Sequence, residues 1–364
     1  MRGSNKNQPS MLMLVSPGSL VPPSHPLRGI KMLADAALKE LDPVFAVMYS
    51  EVGRPSIPPE RQLKTLLLMV LYSIRSERQV CEQLQYNMLF RWFVDMDLTG
   101  LAFDASTFSK NRERLIQNDV ASKFLKAVVA HADAAGLTSS EHFSVDGTLI
   151  TAMASHKSFK PKDSDSDGPG DSNGWSDFSG TKRSNDTHES TTDPDSRLAR
   201  KSAGTGAELS YAVNALMENR NGLIVGVQAD TVTGTIERDA ALELIDENLV
   251  GTGRITIGAD KAYDTEQFVA DLRDRNATPH TAQNVQPGRR RSNIDGRTTR
   301  HEGYKTSLIK RREIEPFFGW LKQPGRMKRS RYRGLLKVGW FAKFVGAAFN
   351  LVKINNIFRQ MKAA

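Results

Sequence analysis

The sequence contains a single cysteine, Cys81, among 364 residues. One thiol excludes an internal disulfide framework and a zinc site built from cysteines, and it is typical of a reducing cytoplasm. Long apolar runs are also scarce. The N-terminal run 11–15 is too short for a signal peptide, and the apolar stretches 63–74 and 339–352 are too short, or interrupted by Lys343, to span a bilayer. We therefore expect a cytoplasmic protein that does not bind a membrane.

Acidic residues are outnumbered, with 41 Asp and Glu against 50 Lys and Arg, a formal charge of +9. A basic chain favours an anionic partner, and nucleic acid comes first among such partners. The excess is concentrated in residues 286–337, which hold 16 basic and 4 acidic residues, a net charge of +12, so the rest of the chain carries −3. We expect this basic segment to contact the anionic partner.

The first part of the chain has a helical pattern. Residues 1–27 are rich in Pro, Ser, Gly and Asn and predict a flexible arm. Residues 28–136 predict several short helices with short loops, similar to a helix-turn-helix bundle that binds DNA or dimerises. Its arginines, among them Arg91 and Arg112, would then face phosphates. An ordinary bundle with a solvated charged face is equally consistent with this segment.

Residues 137–364 alternate strand and helix patterns, which predicts a mixed α/β sheet flanked by helices. Residues 157–206 are of low complexity and cannot bury enough apolar area to fold by themselves, which predicts a surface insertion or a flexible loop. A basic, helical C-terminal region follows. The predicted strands are 142–150, 209–217, 223–232, 254–259 and 278–282, the second and third joined by an Asn-Gly hairpin turn, with helices at 240–249 and 267–275.

Three acidic residues occupy positions that suggest a function: two lie in or directly after predicted strands, and one lies in the basic segment. Asp146 lies inside the apolar strand HFSVDGTLI, and Asp260 ends the strand RITIGA. Alone, either one is equally well explained as a turn former. Because open α/β sheets collect ligands at strand ends, the two acids are expected to meet there. Glu315 is surrounded by cations and is either an ion-pair partner of Arg311 or a third ligand. Together the three acids predict an oxygen-rich Mg²⁺ site.

At these residues the chain resembles the DDE transposases of bacterial insertion sequences, specifically the IS-five family. The similarity lies in the number and order of short motifs, from about residue 55 to residue 351: SVDGT, SNDTHESTTDPDSRLARK, LMENRNGL, GADKAYD, TPHTAQN, IDGRTTRHEGY, IEPFFGWLK and RYRGLLKVGW. The resemblance implies a ribonuclease-H-like DDE catalytic domain at 137–364. It also implies that Asp146, Asp260 and Glu315 form a triad that binds two Mg²⁺ ions, for which Mn²⁺ can substitute.

The resemblance further implies cleavage of DNA at the ends of an insertion sequence and transfer of the exposed 3′ end into target DNA. Arg311 and Lys322 match the family spacing Arg-x3-Glu-x6-Lys, whereas Leu308 and Glu313 stand where the family has Tyr and a basic residue. The residues expected to contact DNA phosphates are Arg289, Arg290, Arg291, Arg311, Arg312, Lys322, Lys328, Arg329, Arg331 and Arg333.

The partners expected from the resemblance are double-stranded DNA, as terminal inverted repeats and as target, and a second copy of the chain in a homodimer. The protein would act on the bacterial nucleoid within the cytoplasm. Two other functions use the same features: a non-catalytic DNA-binding repressor, and a nuclease that only hydrolyses. A local expectation concerns Pro316, which disfavours a continuous helix and predicts either a kink or a helix that begins there with Glu315 at its positive end.

Overall fold

The computed structural model describes residues 16–50, 52–53, 56–162, 183–202, 204–249, 251, 253–285 and 292–363. Its N-terminal part is helical. Proline opens several of the helices, where its missing N–H is not needed, and the side chains of Ser76, Asn87 and Asp104 cap three others. The helices are α1 Pro17–Leu20, α2 Pro26–Glu40, α3 Asp42–Met48, α4 Pro59–Leu71, α5 Glu77–Tyr86, α6 Met88–Phe93, α7 Ala105–Gln117 and α8 Val120–Ala134.

Two basic residues expected on a charged surface are used inside this helical region. Arg91 is only 3% exposed, and its guanidinium donates hydrogen bonds to the carbonyl oxygens of Leu84, Asp97 and Gly100. The expectation that Arg91 faces phosphates is therefore wrong, because its donors already satisfy buried carbonyl groups. Arg112 forms an ion pair with Glu77, so its guanidinium is also engaged within the protein.

The C-terminal part is built on a mixed sheet. Its strands are β1 His142–Thr151, β2 Phe159–Pro161, β3 His188–Ser190, β4 Arg197–Ala199, β5 Glu208–Glu218, β6 Ile224–Thr231, β7 Ile255–Ala259 and β8 Ala277–Thr281. Its helices are α9 Ile236–Asn248, α10 Glu266–Asp274, α11 Gly296–Thr299, α12 Glu302–Lys310, α13 Glu315–Lys322 and α14 Leu335–Ala363.

The sheet order is β4–β5–β1–β7–β8, with β6 also paired to β5. Strand β5 runs antiparallel to β1, β4 and β6, whereas β7 is parallel to both β1 and β8. Short β2 and β3 form a separate pair. This arrangement confirms the predicted fold class, a ribonuclease-H-like mixed sheet flanked by helices and preceded by an all-helical region.

The two faces of the sheet carry different helices. Val145 and its partner Leu216 pack against Ala241 and Leu244 of α9. On the opposite face, Ala215 belongs to the larger core that includes α8, α13 and α14. Asp146 is directly opposite Ala215 in the strand pairing and therefore shares that second face.

Helix α14 is longer than the sequence suggested. It runs unbroken for 29 residues and, by length and composition alone, could cross a membrane. Yet 67% of its apolar window is buried inside the protein, where it packs against α8, α2 and β6. Its hydrophobicity is thus explained by its place as the central helix of the larger core.

The described flanks of the predicted insertion, 157–162 and 183–202, contain the ordered strands β2, β3 and β4. These flanks have little apolar area to bury, and hydrogen bonds of polar side chains hold them in place. Asp193 is 1% exposed and accepts a hydrogen bond from the hydroxyl of Tyr211 on β5. Asp195 accepts one from the backbone N–H of Leu335, 2.9 Å away, and so caps the start of α14. Residues 163–182 lie outside the described residues.

Candidate active site

Asp146 and Asp260 lie side by side on neighbouring parallel strands. The pairing of β1 with β7 matches Ser144 with Gly258, and two further residues along each strand bring Asp146 opposite Asp260. Neighbouring strands are about 4.8 Å apart, so the backbones of the two residues lie near each other, close enough for the charge of Asp260 to raise the pKa of Asp146. Asp260 follows the last residue of β7, and its carboxylate accepts the N–H of Ala262 at 2.7 Å. That the two acids meet as ligands of one site remains a prediction.

The electrostatics of Asp146 reflect its crowding. Burial is the largest cause that raises its pKa, to about 6, and the charges of Asp260 and Glu237 raise it further. The backbone N–H of Gly147, 2.9 Å from its Oδ1, and the charge of Arg311 act in the opposite direction. A half-buried carboxylate with two acidic neighbours is costly to ionise unless a cation joins it.

Glu237 is an acidic neighbour that the sequence did not single out. It lies in the first turn of α9, and a Cβ placed on Gly147 would be 3.2 Å from its Cγ. Burial and the charge of Asp260 raise the pKa of its carboxyl, although the residue as a whole is exposed. The available signal was Gly147 itself, since a glycine inside a strand often marks a close approach. The packing of α9 against β1 could not be read from the sequence.

The segment Arg311–Lys322 runs alongside β1 on the face of Asp146. Its start is fixed at Gly258, where an added Cβ would lie 3.5 Å from the Cβ of Arg311. Its end is fixed at Thr148, whose Oγ1 accepts a hydrogen bond from Nζ of Lys322 at 2.5 Å.

Glu315 lies between these two anchors. It lies four residues beyond Arg311 through a 3₁₀ turn, about 8 Å along the axis. Asp146 lies two strand residues, about 7 Å, beyond Ser144, the β1 residue paired with Gly258. Glu315 is therefore carried roughly level with Asp146. Its side chain is exposed and forms no hydrogen bond or ion pair with any residue that the structure describes.

The prediction at Pro316 holds in part: no single straight α-helix runs through residues 311–320, but Glu315 keeps helical angles, with φ −57° and ψ −42°. Helix α12 ends at Lys310, a 3₁₀ turn spans Arg311–Ile314, and α13 begins at Glu315 with the proline in its first turn. Glu315 thus lies at the positive end of α13, where the helix dipole favours a carboxylate.

The donor set fits a divalent cation of the Mg²⁺ type, because every candidate ligand is a carboxylate oxygen. The hydroxyl of Tyr263 gives independent support. Tyr263 is 1% exposed, and its Oη has no hydrogen-bond partner among the described residues. Burial is the largest cause that raises its pKa, and the nearby charges of Glu237, Asp146 and Asp260 raise it further. Across the described residues, no three His, Cys, Asp or Glu side chains already converge into a ready-made metal site. Glu315 would have to turn inward to complete one.

The residues predicted to contact DNA differ in how many contacts they already make within the protein. Arg312, Lys328 and Arg333 are exposed. Arg329 donates from Nε to the carbonyl of Ala152 at 3.3 Å. Arg331 donates to the carbonyl of Arg75 and lies over the rings of Tyr332 and Phe341, so it joins the helical region to the sheet domain. Arg289, Arg290 and Arg291 lie outside the described residues.

Comparison with known protein families matches most of the chain. Residues 15–114 match a transposase domain (DUF772), and residues 138–351 match a transposase DDE domain. No curated protein matches.

Solved structures show distant similarity only. The piggyBac transposase synaptic complex with hairpin DNA aligns with a TM-score of 0.41 at 10% identity, over 92% of this chain and 76% of that one. The Mos1 mariner paired-end complex with Mn aligns with a TM-score of 0.21 at 12% identity, over 87% and 90%. The Mos1 strand transfer complex aligns with a TM-score of 0.20 at 10% identity, over 64% and 60%.

The DDE-domain match alone covers more than half of the 364 residues, and it contains all three acids of the site. This chain therefore belongs to the family of DDE transposases.

Proposed function

We propose that the protein is a DNA transposase of the IS-five type, which cuts DNA at the ends of its insertion sequence and joins the exposed ends to target DNA. The observation that carries this proposal is the closeness of Asp146, on β1, to Asp260, which directly follows the parallel strand β7. Membership of the DDE family supports the reaction class. We propose Asp146, Asp260 and Glu315 as the ligands of divalent Mg²⁺, with Mn²⁺ as a substitute.

Divalent ions at such a site would supply activation of the attacking oxygen and stabilisation of the leaving oxygen. The protein's own contribution is position and charge. Strand β1 and the end of strand β7 would hold Asp146 and Asp260 near each other, and the start of α13 would carry Glu315. Lys322, oriented by its hydrogen bond to Thr148, is placed to bind a phosphate near the cut. Arg311, on the other side of Glu315, would bind a second one.

The reaction has two phosphoryl-transfer steps. In the first, water attacks a phosphodiester at the transposon end and the 3′ oxygen leaves, which exposes a 3′ hydroxyl. In the second, that hydroxyl attacks a target phosphodiester and displaces its 3′ oxygen. Both ends must be held at once, so we propose that a homodimer binds the terminal inverted repeats and the target duplex. The reaction would take place on the bacterial nucleoid.

The test uses DNA that carries the element's own ends, incubated with the full-length protein and Mg²⁺. We expect strand cleavage and joining by the wild type, and loss of both in Asp146→Ala while DNA binding persists. Asp274→Ala, which removes an exposed acid at the end of α10, is the matched control and should join strands normally.

Three results would argue against the proposal. Normal joining by Asp146→Ala would remove that residue from catalysis. Binding without cleavage by the wild type would identify a repressor instead. Cleavage without joining under any condition would identify a hydrolytic nuclease.

A further inference from the structure

A groove of about 510 Å³ opens beside the acids. One side is formed by Gly147 and Thr148 of β1, directly after Asp146, and by Glu237. The other side is formed by Arg200 and Lys201, which follow β4. The groove therefore connects the candidate active site with two cations that the sequence reasoning did not include among the DNA contacts.

Both cations are unengaged by acids. Arg200 and Lys201 are exposed, and neither forms an ion pair with any carboxylate that the structure describes. Surface arginines and lysines are usually solvated, so exposure alone indicates nothing about function. What distinguishes them is that they line the same groove as Glu237 and as Gly147, the residue directly after Asp146.

Lys201 also lies close to Lys322. Burial first, and then the nearby charge of Lys201, lower the pKa of the Lys322 ammonium. Lys322 is half-buried and is held on Thr148, which itself lines the groove. Two ammonium groups brought together in this way repel each other, and an anion between them would relieve the repulsion.

The distances suit a DNA backbone. Thr148 lies two residues beyond Asp146 on the same face of β1, about 7 Å along the strand. An anion bound at Lys322 would therefore be near the acids without occupying their place. Glu237 lines the groove at the end beside Gly147. A phosphate bound at that end would need the divalent ions proposed for the candidate active site.

We propose that this groove binds the sugar-phosphate backbone of one DNA strand, with Arg200 and Lys201 holding phosphates next to the one that is cut. This inference rests on the proposed function, because it assigns the groove to the strand that enters the candidate active site. It adds a basic contact from the segment after β4 to those already expected from the segment 286–337.

The test is equilibrium binding of a short fluorescent duplex of random sequence, measured in EDTA between about 50 and 200 mM salt. Each phosphate contact contributes about 0.9 to the slope of log K against log[salt]. Loss of two contacts in Arg200→Ala/Lys201→Ala should therefore make the fall in affinity over this fourfold salt range about 12-fold smaller than in the wild type.

The matched control is Arg359→Ala/Lys362→Ala, which removes the same two charges from exposed positions in the last turns of α14. The control should keep the wild-type salt dependence. An unchanged salt dependence in Arg200→Ala/Lys201→Ala would overturn the proposal, as would an equal reduction in both variants, which is a net-charge effect, or absence of duplex binding by the wild type.

Because EDTA prevents any metal-dependent reaction, this reading does not depend on catalysis. Failure of the wild type to cut DNA would overturn the proposed function without altering the measured salt dependence. Normal cutting combined with an unchanged salt dependence would overturn only the groove.

Discussion

Replacement of Asp146 by asparagine should stabilise the folded protein at neutral pH. The pKa of Asp146 is raised from 3.8 to about 6 in the fold, mainly by burial. A raised carboxyl pKa means that the folded state binds the proton more tightly than the unfolded state. The ionised carboxylate therefore destabilises the fold fully above about pH 6, and this cost disappears as the pH falls below 3.8.

The magnitude follows from the shift. A difference of about 2.2 pKa units corresponds to about 3 kcal/mol at pH 7 and to about 0.5 kcal/mol at pH 4. Asparagine keeps the shape and the oxygen that accepts the Gly147 N–H, but it removes the charge. With an unfolding entropy of about 2.1 cal/mol/K per residue, 3 kcal/mol raises the melting temperature of a chain of this size by about 4 °C.

The assay is thermal unfolding of wild type, Asp146→Asn and the exposed control Asp274→Asn, each at pH 7 and pH 4 in EDTA. Asp146→Asn should melt about 4 °C higher at pH 7 and nearly level with the wild type at pH 4, and the control should not change. Added Mg²⁺ should then stabilise the wild type more than Asp146→Asn, because only the wild type keeps the full set of ligands. An equal or lower melting temperature for Asp146→Asn at pH 7 would refute the electrostatic reasoning.

Three further variants test the surrounding structure by chemical denaturation. Gly147→Ala should lose about 1–3 kcal/mol, because the added Cβ would stand 2.4 Å from Oδ1 of Asn214; unchanged stability would contradict the close packing. Glu218→Ala should lower the free energy of unfolding by about 3 kcal/mol or more, and Glu218→Gln by less. The reason is that this fully buried carboxylate accepts hydrogen bonds from four backbone N–H groups. Equal losses in the two variants would show that the charge and its acceptor oxygens do not matter. Asp195→Ala should lose about 1 kcal/mol through the uncapped N–H of Leu335, and no loss would show that α14 does not need this cap.

Local patterns in the sequence were sufficient for the elements that hold the acids. Apolar and β-branched residues predicted β1, and the run RITIGA predicted β7. Proline chemistry predicted a change in the helical segment at Pro316, and α13 does begin beside it, although Glu315 keeps the helical angles that Pro316 disfavours. These features depend on a few neighbouring residues, which is why they could be predicted.

Features that depend on long-range packing could not be predicted. Glu237 reaches the site only because α9 crosses β1 at Gly147, and Arg200 reaches the groove only because β4 pairs with the start of β5. The low-complexity composition around Asp193 predicted a loose segment, but buried hydrogen bonds to Tyr211 and Gly334 order it. The composition of a segment indicates how much apolar area it can bury. It does not indicate whether its polar groups form hydrogen bonds with residues far away in the chain.

Asp146, Asp260 and Glu315 are proposed to bind a divalent cation together, although Glu315 is exposed and apart from the other two in the structure. The most direct measurement is titration of the DNA-free protein with Mn²⁺, followed by electron paramagnetic resonance. We predict that alanine at any one of the three acids weakens Mn²⁺ binding at least tenfold, and that Glu302→Gln, at an exposed acid in the first turn of α12, leaves it unchanged. Wild-type affinity in Glu315→Ala would contradict the claim and leave the site to Asp146 and Asp260.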